Sequence, residues 1–210
     1  MSRHLSSLYA GVTMGGMDEP VPTEPGARDP APEELRLVQA FVNTNDMEEG
    51  RDELRVPEGL RDWLVARGLI RPEVEVGDRD LARALALREA IRALAASNNG
   101  IPLDPNDLDT LDRVADAGAL RVRFTKEGEP RLEPLSPGVN GALARIVADV
   151  YRSIIQGSWP RLKACRRHAC RWLFYDRSRN RSGTWCAMTV CGNRVKTRTY
   201  RRRRARATAG

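Results

Sequence analysis

The segment CRRHACRWLFYDRSRNRSGTWCAMTVC, residues 165–191, contains all four cysteines of the chain. They form two pairs, Cys165-x4-Cys170 and Cys186-x4-Cys191, with fifteen residues between the pairs. A tetrahedral metal site requires this kind of spacing. Each pair spans one tight turn, and the intervening stretch folds back to bring the pairs together. Four thiolates complete the shell, so the pattern predicts Zn2+ on Cys165, Cys170, Cys186 and Cys191 as a closed structural centre without an open catalytic position. The competing readings are buried free thiols and, in an exported protein, disulfides. His168 falls inside the first pair. With four cysteines available, it is expected to face solvent or to support a ligand.

So small a module cannot build an ordinary core. The run Trp172-Leu173-Phe174-Tyr175 reads as a short buried strand, with Trp185 packed beside it, and metal and aromatics together replace that core. A zinc ion on four thiolates carries a formal charge of −2, and Arg166, Arg167, Arg171 and Arg194 are near enough in sequence to offset it.

The surroundings are strongly basic. From Trp159 to Gly210 there are 16 Lys and Arg against one acid, Asp176, whereas Met1 to Ser158 has 19 basic against 27 acidic residues. The net charge of +7 therefore conceals an acidic body and a basic end, which suits a polyanion partner at that end only. In the loop from Asp176 to Ser182, Arg177, Arg179 and Arg181 suit phosphate contacts; a solvated loop explains them equally well. Gly192 to Arg204 can form a helix leaving the metal site, with Arg194, Arg198, Arg201 and Arg202 on one broad face and Lys196 among them. Such a helix can enter a major groove, and the alternative is a basic tail that binds any polyanion.

Upstream, helical periodicity dominates. Glu33 to about Asn43 carries Leu35, Val38, Phe41 and Val42. Pro57 to Arg67 starts on proline and stops at Gly68, burying Leu60, Trp63 and Leu64. Asp80 to Ser97 carries Leu81, Ala84, Leu85, Arg88, Ile91 and Leu94, and stops at Asn98-Asn99-Gly100. Asp104-Pro105 starts a fourth helix through Leu108, Leu111 and Val114. Asn140 to Gln156 is a fifth. Between the last two, Leu120, Val122 and Phe124 alternate with polar residues, and Arg131 to Leu135 pairs back across Glu127-Gly128, the single hairpin expected here. Asn43 to Glu53 reads as a loop. The fold class is mainly α (α+β): a helical N-terminal domain with one β-hairpin, then a small zinc-stapled C-terminal module. The expected divisions are 1–32 as a poorly ordered segment, 33–158 as the helical domain, 159–206 as the zinc module with its basic helix, and 207–210 as a tail.

No run approaches the about 18 apolar residues of a membrane span, and Met1 to Gly16 lacks the apolar core of a signal peptide. The expected compartment is the reducing cytoplasm, without membrane association. No HExxH, glycine-rich phosphate loop or supported Ser/His/Asp arrangement is present, so no enzymatic activity is expected.

Three stretches resemble the CGNR zinc-finger family: Cys170-Arg171-Trp172-Leu173-Phe174-Tyr175-Asp176-Arg177-Ser178-Arg179-Asn180, Trp185-Cys186-Ala187-Met188, and Cys191-Gly192-Asn193-Arg194-Val195-Lys196. Upstream, Phe41-Val42-Asn43-Thr44, Leu60-Arg61-Asp62-Trp63-Leu64 and Leu87-Arg88-Glu89-Ala90 resemble the ABATE domain found with that finger. The first of these departs from the usual Asp-Leu-x-Asn-Thr form. The resemblance covers roughly Glu33 to Arg206 and implies a bacterial, stress-associated transcription regulator with zinc at the four cysteines. It implies double-stranded DNA as the partner, and a small-molecule effector at the N-terminal domain is a further expectation. RNA or ribosome association and thiol-based redox sensing are the alternatives. The resemblance also singles out Asn43 and Arg88, which either hydrogen-bond each other, line a small pocket, or form a buried polar pair that fixes helix packing.

Overall fold

The computed structural model describes residues 30–194 and Thr197. Most of the expected N-terminal segment and most of the basic stretch after the last cysteine lie outside the described residues.

Five α-helices are present among the described residues up to the first cysteine: α1 (Glu33–Asn43), α2 (Pro57–Ala66), α3 (Asp78–Ser97), α4 (Pro105–Ala117) and α5 (Gly138–Ile155). Their starts follow local chemistry. Pro57 and Pro105 occupy first-turn positions where a missing N–H costs nothing, and the Asp104 carboxylate accepts the N–H of Asn106 at 2.9 Å. Helix α3 begins two residues before its apolar period. Asp80 reaches back to the Gly77 N–H at 3.0 Å, so polar Asp78 and Arg79 form its first turn.

The expected hairpin is present as β3 (Leu120–Phe124) and β4 (Pro130–Pro134), antiparallel, with Val122 opposite Leu132. A second hairpin differs from the sequence reading. Within the stretch expected to be a loop, β1 (Asn45–Asp46) pairs antiparallel with β2 (Arg51–Asp52). Its strands are two residues long and polar, so they give no hydrophobic alternation to read. Asp46 organises the turn by accepting the N–H groups of Glu48 and Glu49, both at 3.0 Å. A third pair, β5 (Leu162–Ala164) and β6 (Leu173–Tyr175), brackets the first cysteine pair.

One buried cluster holds these elements together. It includes Leu35, Phe41, Leu64, Leu87, Ile91, Leu143 and Ile146 from the helices, and continues into Trp159, Leu162, Ala164 and Leu173. The segment after α5 thus shares its packing with the helices. A second, smaller cluster contains Cys165, Cys170, Trp172 and Cys191, with Trp185, Cys186 and Val190 against it. Trp172, Leu173 and Phe174 are buried, as a short core strand requires. Among the described residues no helix is long and apolar enough to cross a membrane.

Candidate metal centre and its supports

Two turns bring the cysteines together. After β5, Cys165 enters a turn closed by hydrogen bonds from the Cys170 and Arg171 N–H groups to the Arg167 carbonyl, at 2.9 and 3.1 Å. Arg171 adopts φ of 49°, the left-handed conformation that lets the chain reverse after the second cysteine. The Cys165 N–H then bonds to the Trp172 carbonyl at 2.9 Å, continuing the strand pairing. The second pair closes differently. Met188–Gly192 is a single π-helical turn, in which the Cys191 and Gly192 N–H groups share the Ala187 carbonyl. Gly192 packs closely here: a Cβ would lie 2.7 Å from the Met188 sulfur and 3.4 Å from the Trp185 ring, so the methionine side chain would have to move aside.

The four Sγ atoms lie within 4.8 Å of one another. Cys170 and Cys186 are separated by 3.7 Å, Cys186 and Cys191 by 3.6 Å. A tetrahedron of sulfurs about 2.3 Å from a zinc has edges of about 3.8 Å, so these separations fit the ion. They are far longer than the roughly 2.05 Å of a disulfide, and the cysteines are unpaired. Cys165, Cys170 and Cys191 are buried, and Cys186 is partly exposed. The thiols also perturb one another's acidity. Hydrogen bonds from Cys170 and Cys186 pull the Cys165 thiol down, whereas interaction with Cys165 pushes Cys170 and Cys186 up. His168 is exposed and stands outside the set.

Of the four arginines expected to offset thiolate charge, Arg167 does so directly, with Nη1 3.6 Å from the Cys191 sulfur. The same nitrogen donates to Glu48 in the β1–β2 turn at 2.8 Å, and Arg194 also donates to that Glu48 oxygen. The Arg167 hydrogen bond holds the Glu48 carboxyl below the usual carboxylate range. Arg171 contributes its backbone: its carbonyl accepts from Arg92 Nη1 at 2.9 Å. Arg166 is exposed.

Asn43 and Arg88 are both buried, but their partners are not each other. Asn43 bonds the Leu173 backbone in both directions, and Arg88 makes a two-pronged ion pair with Asp52, at 2.7 and 2.8 Å, plus a bond to the Thr44 hydroxyl. Neither lines the 570 Å³ groove formed by residues such as Pro57, Arg61, Val74, Val76 and Asp80.

The arginine-rich loop is built from below by two charges to which the sequence reading assigns no role. Lys163 and Asp176 form a buried ion pair at 2.8 Å. Asp176 accepts the Ser178 and Gly183 N–H groups, at 3.0 and 2.7 Å, and Lys163 also donates to the Arg181 and Gly183 carbonyls. Burial pushes Asp176 up, but the bonds from Lys163, Ser178 and Gly183 outweigh it and bring the carboxyl down to about 2. At Gly183 a Cβ would lie 2.7 Å from that carboxylate, so only glycine closes the loop. Arg177, Arg179 and Arg181 are exposed on the outside. Arg177 donates to the Pro30 carbonyl at 2.9 Å and lies 5.6 Å from the Tyr175 ring centre. Asn193, Arg194 and Thr197 are helical, whereas Lys196, Arg198, Arg201 and Arg202 lie outside the described residues.

Residues 35–155 match the ABATE family model, described as "Putative stress-induced transcription regulator", and residues 161–204 match the CGNR zinc finger. No curated protein matches the chain. The finger match and the four clustered cysteines together identify Zn2+ as the cofactor.

Proposed function

The chain belongs to the ABATE family and carries a CGNR zinc finger behind that domain; from that premise we propose that it is a transcription regulator whose C-terminal zinc module binds double-stranded DNA. Cys165, Cys170, Cys186 and Cys191 hold the ion as a structural centre, and the ion fixes the two turns that carry the basic residues. Arg177, Arg179 and Arg181 on the loop, with Arg194, Lys196, Arg198, Arg201 and Arg202, contact the phosphate backbone. Residues 33–158 form the body on which the module is mounted, and 159–206 form the module. The body takes the effector, and the protein works in the cytoplasm without catalysing a reaction.

The observation that carries this reading is the four-sulfur cluster inside a stretch with 16 basic residues and one acid. That acid is consumed internally by Lys163, so its charge does not oppose a polyanion at the surface. The test is a mobility shift of genomic promoter fragments by the zinc-loaded protein. Retarded fragments that release as salt rises support the reading. No retardation at moderate salt, or retardation indifferent to Arg194→Ala with Arg198→Ala, contradicts it.

A further inference from the structure

Glu48 belongs to the β1–β2 turn of the helical body, yet its carboxylate lies against the zinc module. Arg167 Nη1 donates to Glu48 Oε1 at 2.8 Å, and Arg194 Nη1 donates to the same oxygen. Two guanidinium groups that converge on one oxygen form an anion site, and the fork of an arginine fits a phosphate as well as it fits a carboxylate. We propose that Arg167 and Arg194 are a contact site for a nucleic-acid backbone phosphate, and that Glu48 covers this site in the free protein and competes with the phosphate. The proposal rests on the nucleic-acid reading above.

Four observations support the exchange. The Arg194 side chain is 58% exposed, so a large partner can reach it, while the Glu48 side chain is 17% exposed. Arg167 has a second anchor, the Cys191 sulfur at 3.6 Å, which keeps its guanidinium beside the metal site when the carboxylate leaves. Glu48 is carried by a turn between strands of only two residue pairs, a short element that can yield a side chain to a competitor. In sequence, Arg194 is followed by Lys196 and Arg198, so a phosphate at this point continues the basic run. The negative body would therefore set the affinity of the positive module through a single side chain.

The experiment compares the full-length, zinc-loaded wild type with Glu48→Gln on a labelled mixed-sequence duplex, by fluorescence anisotropy across a salt series, with zinc content measured for each protein. Glu48→Gln is expected to bind about three- to tenfold more tightly and to show a salt slope steeper by about one to two phosphate contacts. Adding Arg194→Ala to Glu48→Gln is expected to abolish the gain. Equal or weaker binding by zinc-loaded Glu48→Gln overturns the proposal, as does loss of zinc from that variant, which would make Glu48 a strut of the metal module. If the wild type binds duplex and Glu48→Gln brings no gain, this proposal alone fails. If neither binds any duplex at low salt, the nucleic-acid reading fails and takes the proposal with it.

Discussion

Asn43 on α1 and Leu173 on β6 hold each other by two hydrogen bonds: the Asn43 amide donates to the Leu173 carbonyl at 3.0 Å, and the Leu173 N–H donates to the Asn43 amide oxygen at 2.8 Å. A side-chain amide here replaces a neighbouring strand. Gln39, one turn earlier, adds a bond to the same carbonyl at 3.2 Å. The two-stranded β5–β6 sheet is thereby fastened to the helical body at a buried edge, where unpaired backbone groups would be costly.

Asn43→Leu is accordingly expected to cost about 2–4 kcal/mol, because it takes the amide oxygen from the buried Leu173 N–H and the amide donor from the Leu173 carbonyl, leaving Gln39 on that carbonyl. Denaturant unfolding of the zinc-loaded protein measures this. A loss below about 0.5 kcal/mol would show that water or a shifted strand satisfies those groups.

Arg92 provides the second fastening. Its side chain is fully buried and donates to the Val42 carbonyl at 2.8 Å, the Arg171 carbonyl at 2.9 Å and Glu89 at 3.0 Å. Arg171 directly follows Cys170, so this guanidinium sets the turn of the first cysteine pair from the body. Arg92→Lys keeps the charge but lacks the planar fork, so it is expected to destabilise by about 3 kcal/mol and to speed zinc release to a chelator. Zinc-release kinetics matching wild type would separate Arg92 from the metal site.

The Lys163–Asp176 pair makes a prediction in pH. The Asp176 carboxyl is held at about 2 in the folded chain, against 3.8 unfolded. A lowered carboxyl contributes stability that is fully present above the unfolded value and is lost as pH falls toward the folded one. The ionisation is worth roughly 2 kcal/mol at neutral pH. Asp176→Asn is expected to cost at least that, since Lys163 is left buried without its counter-charge, and the gap from wild type is expected to narrow as pH falls from 4 toward 2. Unfolding curves across that window check it, and a gap that is constant with pH would contradict the ion pair.

Chelating the zinc is expected to loosen the module and leave the helices. The larger buried cluster draws most of its residues from α1 to α5, whereas the smaller one is built around Cys165, Cys170 and Cys191. Backbone hydrogen exchange is therefore expected to rise most from Cys165 to Cys191 and little in α1, α3 and α5. Equal loss of protection across the chain would show that body and module unfold as one unit.

Helix positions were legible because Leu, Val and Ile recur at helical spacing, and the metal cluster was legible because four thiols in one short segment have few other uses. The supports of the site were not. Asn98 and Asn99 read as a helix stop, yet their amides grip the module: Asn98 donates to the Trp159 and Leu162 carbonyls, Asn99 to those of Ala164 and Thr184. Arg92 and Lys163 count only as charge in the sequence, because the backbone carbonyls each of them holds, besides Glu89 and Asp176, leave no pattern there. Asp176 offered a signal, as the single acid among 16 basic residues. The β1–β2 turn reads as a loop in the sequence because its polar two-residue strands have no period, and nothing there points to Glu48 and its hold on Arg194.

The most direct test of the central claim is fluorescence anisotropy of a labelled promoter duplex titrated with the same protein preparation before zinc removal, after it, and after zinc is restored. The account predicts binding with zinc, with a strong inverse dependence on salt, loss of most affinity on chelation, and recovery on reloading. Binding that is unchanged after the zinc has been removed, with all four thiols then titratable, would contradict it.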